Sequence, residues 1–468
     1  MSTRRQCLAA GTRAGLAIAG LGGMGAGPAR GAEAPPAVPA AASAPEWRNW
    51  SGIQSCRPTQ LATPATADEV AAWLRASRGP VRCAGAGHSF TALVPTDGTL
   101  LSLDRLTGVT AADPQAARVS ARAGTRIGLL ARALDPLGLA LYNQPDIDVQ
   151  TLAGAHATGT HGTGVALPAL HAHLRGLTLV DARGDSLHAS RDERPELFDA
   201  ARVSLGTLGV VTEVELDVRP RFFLRRRVWL APTAKLLDEA PRHAQEHRHF
   251  EMYVLPLTGY SAGIVHDEVP AQPPTHVDAA DEDVLRDLRH LRDWFGRFPA
   301  LRRWIAQRLI DPDQKEESVD LSYRLLSTVR PTRFNESEYH VPRERGIACL
   351  REVIAALEAR DDVFFPVEFR FIRGDDAWLS PFHGGDRCSI ATHALQGEPY
   401  EYLVSALGPV FRRHGGRPHW GKLHDMGAAQ LAAAYPRWAD FQRLRRELDP
   451  QERFLNAFTR RLFGEEAR

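Results

Sequence analysis

Hydrophobic and polar positions divide the chain into short alternating runs rather than long uniform ones. Thr66-Ala67-Asp68-Glu69 reads as an N-cap for a helix to about Ser77, and Val81-Arg82-Cys83 as a strand after it. Leu100-Leu101-Ser102-Leu103 and Arg118-Val119-Ser120-Ala121 read as further strands, with an amphipathic helix from Ile127 to Leu137. Leu177-Thr178-Leu179-Val180 and the run from Gly209 to Leu216 close this region, so residues 57–220 carry the mixed pattern of an α/β domain. Beyond Pro220 the pattern changes. Arg225-Arg226-Arg227 opens a more aromatic part with a charged helical stretch over 281–309. There Leu285, Leu288, Leu291, Trp294 and Phe295 fall at helical spacing and are expected to be core packing. The stretch from Phe364 to His393 reads as strand again.

The N-terminus has its own pattern. Paired arginines, Arg4-Arg5, precede a Gly/Ala-rich apolar run from Leu16 to Gly27, and Ala32-Glu33-Ala34 offers a small-x-small cleavage site. Residues 1–34 are therefore expected to be a twin-arginine signal for export to the periplasm, the route for folded, cofactor-loaded proteins. Residues 35–45 are a Pro/Ala-rich spacer. The whole chain of 468 residues has a formal charge of +1, falling to about −2 without the signal, so nothing favours a nucleic-acid partner. Apart from that segment, no apolar run is long enough to span a bilayer, and no integral membrane segment is expected. Cys56, Cys83, Cys349 and Cys388 lack metal-site spacing, and disulfides and free thiols both stay open for them.

Two glycine loops carry the chemistry. Gly85-Ala86-Gly87-His88-Ser89-Phe90 and Thr158-Gly159-Thr160-His161-Gly162-Thr163-Gly164 each hold one histidine among residues without bulk. Such loops let backbone N–H groups approach a pyrophosphate. Glu368 and Arg370 stand two apart on an expected strand, so both face one side and keep each other ionised. Lys422 adds a cation in Pro418-His419-Trp420-Gly421-Lys422. His156, His161, His171 and His173 have the wrong spacing for a metal site on one helix face. No metal is expected, and His171, His173, His243, His247, His249 and His266 read as surface or loop residues.

These motifs resemble the covalent-flavin oxidases of the vanillyl-alcohol oxidase type, in the branch of the aldonolactone and alditol oxidases. The resemblance also rests on Asp146-Ile147-Asp148, Gly154, Ser204-Leu205-Gly206-Thr207-Leu208-Gly209-Val210-Val211, and Arg333-Phe334-Asn335-Glu336 with Glu338-Tyr339. Phe365-Pro366-Val367-Glu368-Phe369-Arg370, Trp378-Leu379-Ser380-Pro381 and Leu448-Asp449-Pro450 continue it in the same order. It implies an α+β, two-domain fold of the FAD-binding PCMH type. The FAD domain would span 46–222, a cap domain on an antiparallel sheet 223–424, and a C-terminal segment, 425–468, would return to the FAD domain.

The resemblance further implies FAD held by Gly85, Ala86, Gly87, His88, Ser89, Asp146, Gly154, Thr158, Gly159, His161, Gly162, Thr163, Gly164, Gly209 and Val211, with His88 as the covalent attachment point. His161 is expected to be scaffolding. Glu368 and Arg370 would meet the hydroxyls of a small polyhydroxylated substrate, and Lys422 would sit near the reacting hydroxyl. His393 is a candidate for the same site, where alditol oxidases have other residues. Asp-Ile-Asp at 146–148 is closer to the lactone-oxidising members, and Pro145 favours oxygen over a respiratory carrier as electron acceptor. The number of subunits stays open.

Overall fold

The computed structural model describes residues 46–275, 281–311 and 315–465. The expected signal at 1–34 and spacer at 35–45 lie outside the described residues. Thr66 caps the helix Ala67–Ala76 by accepting from Glu69 N at 3.1 Å, and Glu69 in turn accepts from Ala65 N at 2.8 Å. This helix leads into a three-stranded parallel sheet of Gln60–Ala62, Thr99–Ser102 and Val81–Ala84. The expected helix from Ile127 ends at Leu134 and tightens into a 3-10 turn over Asp135–Leu137, because Pro136 removes a helix donor.

Beside it stands a five-stranded antiparallel sheet in the order Ser186–Ser190, Leu174–Val180, Val210–Asp217, Arg118–Arg122, Val109–Asp113. Val210–Asp217 alternates strictly, with Val210, Thr212, Val214 and Leu216 buried. The end of the chain packs back onto this first part. Val81 N donates to Arg453 O at 2.7 Å, and Arg453 Nη2 donates to Leu74 O and Ser77 O.

The other sheet has eight strands. Its order is Lys315–Leu321, Phe223–Pro232, Tyr260–Val269, His249–Leu255, Val367–Ile372, Arg387–Leu395, Phe334–Pro342 and Arg417–Pro418, antiparallel throughout. The two halves pack into one compact unit, Ala44–Arg468. Register divides the central strands into two faces. Met252, Phe369, Ile390 and Tyr339 are cross-strand neighbours on one face and share a core cluster with Cys349, Leu350, Val353 and Leu357 of the helix Gly346–Glu358. The opposite face is polar.

Two expectations are corrected, and the open question of the cysteines is resolved. Trp294 is exposed, not core. The inner stripe of Asp281–Phe295 runs through Leu285 and Leu288 to Arg292, whose guanidinium lies over the Phe364 ring, and Trp294 is turned about 200° from Arg292. His171, His249 and His266 are buried rather than on the surface, and His171 is paired with Asp375 at 2.8 Å. All four described cysteines are free thiols, and burial pushes Cys83 and Cys349 up to about 12.

Candidate active site

Strand Val81–Ala84 delivers the first glycine loop to the rim of a cavity of about 1000 Å³. Gly85, Ala86, Gly87, His88 and Ser89 line it together with Gly154, Thr158, Gly209 and Val211. The loop is held from behind, where Trp50 N donates to Gly87 O at 2.8 Å and Asn49 Nδ2 to Ser89 O at 3.0 Å. Among the described residues, no acceptor is found for the backbone N–H groups of Gly85 to Ser89. A row of unpaired backbone donors lining a cavity suits a dinucleotide pyrophosphate. Gly85 has no room for a side chain, since a Cβ there would stand 2.2 Å from Thr151 Oγ1. The residues present therefore fit an FAD.

His88 stacks on Trp50 with ring centroids 5.2 Å apart. Burial, with Lys422 and Arg126 nearby, pulls His88 down to about 4, so its imidazole is neutral at ordinary pH.

The second glycine loop does something else. Gly159, Gly162, Thr163 and Gly164 do not line the first cavity. Thr163 Oγ1 donates to Phe250 O at 2.6 Å and Gly164 N to Phe371 O at 2.7 Å, fastening the loop to the eight-stranded sheet. Gly162 is small because a Cβ there would meet Gln144 O at 2.4 Å. Its closest neighbour is backbone. His161 Nδ1 lies 2.8 Å from Gly162 O and its Nε2 2.9 Å from Glu338 Oε1, a buried pair. Glu338 also accepts from Ser389 Oγ. Burial works against the Glu338 charge, yet His161 holds that carboxyl well below its usual range. His161, Glu338 and His340 could each offer one ligand atom to a cation, though Ser389 and His161 already occupy Glu338 Oε1.

A second cavity of about 500 Å³ opens where the polar face of the large sheet meets the first. Gln150, His419 and Lys422 line both cavities. Register builds its floor. Glu251 pairs with Arg370 and Tyr253 with Glu368 on one side; Glu368 pairs with Ala391, and Glu336 with His393, on the other. Arg370 Nε donates to Glu251 Oε2 at 2.7 Å, and its Nη2 reaches Tyr253 Oη at 3.2 Å and Glu368 Oε2 at 3.3 Å. Burial alone would lower Arg370, but Glu368 and Glu251 raise it well above its usual value. The same burial raises Glu251, and raises Tyr253 well above a free phenol.

Asp146, expected to bind the cofactor, lines this second cavity. Arg330 Nη2 and Nε donate to its Oδ2 at 2.6 and 3.0 Å, and Thr328 Oγ1 donates to Oδ1 at 2.8 Å. Burial would raise Asp146, but Arg330 and Arg370 hold it below its ordinary value. Lys422 is ion-paired to Glu336 and lies over the Phe90 ring at 5.1 Å. Its segment is fixed at the His88 loop by Phe90 N donating to Gly421 O at 2.7 Å and Thr91 Oγ1 donating to Trp420 O at 2.9 Å. His393 Nε2 is 3.7 Å from Glu336 Oε1. Glu368, Arg370, Lys422 and His393 are thus brought together. Glu251, Tyr253, Arg330 and Glu336 join them without having been singled out. The alternation in His249–Leu255 would have put Glu251 and Tyr253 on one face, but only register shows which strand they meet.

Residues 214–462 match the family described as D-arabinono-1,4-lactone oxidase, and residues 58–190 match an FAD binding domain. The chain belongs to the D-arabinono-1,4-lactone oxidase family. It is 36% identical over 428 residues to an L-gulono-1,4-lactone dehydrogenase of Mycobacterium tuberculosis, covering 90% of this chain and 99% of that one. An L-gulonolactone oxidase of Bos taurus is 30% identical, over 89% and 98%. An alditol oxidase of a Streptomyces species is 32% identical, over 88% and 98%. In structure, the chain is similar to a solvent-stable cholesterol oxidase, with a TM-score of 0.70 at 20% identity over 89% and 97%. That likeness is one of fold, the two-domain FAD-binding type with its antiparallel cap sheet.

Proposed function

We propose that this family member oxidises a hydroxyl of an aldono-1,4-lactone, in the manner named for its gulonolactone and arabinonolactone relatives. The observation that supports this most is the charged floor of the second cavity, where Glu368 and Arg370 meet Lys422 at the junction with the FAD cavity. A wall of alternating donors and acceptors suits a substrate carrying several hydroxyls. Bound FAD supplies the acceptor for the hydride that leaves the substrate carbon.

The protein's own groups do the rest. Arg370, fixed by Glu251, donates toward substrate oxygen, while Glu368 accepts the hydrogen bond of the reacting hydroxyl and then its proton. Lys422 and Arg370 are cations already in place where negative charge develops on that oxygen. Arg330, held by Asp146, presents a second guanidinium to the lactone oxygens. An open-chain polyol is the second reading, favoured by the alditol oxidase relative.

His88 would carry the covalent bond to the flavin ring, for which its neutral imidazole and its place on the FAD cavity are suited. Pro145 lines the second cavity and favours oxygen as acceptor, with a respiratory carrier as the alternative. The paired arginines Arg4-Arg5 and Ala32-Glu33-Ala34 support export to the periplasm by the twin-arginine route.

Turnover of lactones and polyols, read in parallel by peroxide release and by reduction of a soluble dye, tests substrate and acceptor together. Lactone turnover with peroxide release is expected; turnover of neither substrate class would refute the reading. Acid precipitation tests the attachment, since the wild-type pellet should be yellow and the His88→Ala pellet colourless.

A further inference from the structure

The hairpin of Asp281–Phe295 and Pro299–Leu309 presents an apolar face that serves neither cavity. Trp294 is 70% exposed, Phe298 61%, Trp304 52% and Leu309 72%. On the second helix Arg302 and Ala306 take the buried side, while Leu301, Trp304 and Arg308 follow one another along the outer side. The Arg308 guanidinium lies over the Trp304 ring at 4.1 Å. From Trp294 to Ile310 the chain carries Arg297, Arg302, Arg303 and Arg308, and no aspartate or glutamate. Asp293 and Asp311 bound this segment, Arg302 is buried and Arg303 is paired with Glu358, so Arg297 and Arg308 are the cations left beside the exposed aromatics and leucines, a combination that marks a docking surface.

The charge pattern selects the occupant. A second copy would set this strip against itself across a two-fold axis, arginine facing arginine. Spanning a bilayer is not on offer, because no described helix is long and apolar enough. An anionic lipid surface supplies both complements at once, negative headgroups for the arginines and an apolar layer beneath them for the indoles and leucines. We propose that this hairpin docks the protein on an anionic lipid surface. Trp294, Phe298, Leu301 and Trp304 enter the headgroup layer, and Arg297 and Arg308 meet lipid phosphates.

Sedimentation of the flavin-loaded full chain with vesicles tests this. Vesicles of phosphatidylglycerol and phosphatidylcholine should pellet the protein at low salt and release it at high salt; phosphatidylcholine alone should not pellet it. The double variant Leu301→Ser/Trp304→Ser should bind at least about tenfold more weakly. Arg297→Ser/Arg308→Ser should lose most of the salt-dependent part. Both variants share the wild-type N-terminal segment, so the difference reads the hairpin alone. Each should keep its melting temperature and its lactone turnover with a soluble dye, which separates this result from the fate of the proposed activity. Wild-type protein staying in the supernatant, variants pelleting like wild type, or a dimer that these substitutions dissolve would each overturn the proposal.

Discussion

Replacing Arg370 by lysine keeps the charge and removes the fork. Arg370 reaches Glu251 at 2.7 Å through Nε, and Tyr253 and Glu368 at 3.2 and 3.3 Å through Nη2. A lysine ammonium is a single point on a flexible stem and cannot hold all three in one geometry. Both members of the Arg370–Glu251 pair are largely withdrawn from solvent, so the penalty is that of a buried contact rather than a surface one. Complete loss of the cation, as in Arg370→Met, would leave Glu251 and Glu368 facing each other and destabilise the fold by about 3–5 kcal/mol. Arg370→Lys should lose less, about 1.5–3 kcal/mol, the value of a charge-assisted hydrogen bond. Flavin reduction should suffer more, because a misplaced donor at the reacting oxygen typically removes about 3 kcal/mol, or about 10²-fold in rate. Anaerobic stopped-flow reduction over a series of lactone concentrations, beside a thermal melt, measures both. A folded Arg370→Lys enzyme reduced within about threefold of wild type would refute the placement of Arg370 at the substrate.

Other expectations follow from the same geometry. Glu368→Gln removes the proposed proton acceptor and one charge of a buried pair with Arg370, so reduction should slow by about 10²–10⁴-fold in protein that a thermal melt shows still folded. Gly85→Ala drives a methyl toward Thr151 Oγ1, so protein refolded with FAD should recover less bound flavin, as read by absorbance after gel filtration. Acid should unfold the protein early. Burial draws His156, His266, His419 and His424 down to about 3 and His88 to about 4, whereas the unfolded chain binds these protons near 6.5. Between those limits the unfolded state holds more protons, so stability falls as pH drops, by about 2 kcal/mol per histidine at pH 5. Glu251 and Asp449, raised by burial, oppose this but are fewer. A melting temperature flat from pH 7 to pH 4.5 would contradict that account. Arg302 is buried and, among the described residues, none of its side-chain nitrogens has a hydrogen-bond partner, so Arg302→Met should raise stability by about 1 kcal/mol, as read by urea unfolding.

The parts legible in the sequence were those written locally. The Thr66 cap, the strand before the His88 loop and the Glu368–Arg370 spacing depend on neighbours within a few residues, and the structure has them as read. What the sequence left unplaced depends on distant strands. Asp146, assigned to the cofactor by resemblance, is held at the second cavity by Arg330, a partner nearly two hundred residues away that the sequence does not announce. At Gly162 and Gly164, glycine says only that something is close. Here the close thing is the backbone of Gln144 and of the cap sheet. Arg330 had no local signature, and for Glu251 the strand alternation gives a face but not the partner that register supplies. Trp294 kept the helical spacing of a core residue while the helix turned it outward.

The central claim is that the charged cavity beside the FAD site delivers a lactone hydroxyl for oxidation. Anaerobic titration of the purified, flavin-loaded protein with aldono-1,4-lactones tests it most directly. Saturable bleaching of the flavin absorbance, slowed by Glu368→Gln and Arg370→Lys, is the result expected. A flavin that stays oxidised under excess lactone and polyol, or that is bleached equally well after those substitutions, would contradict the account.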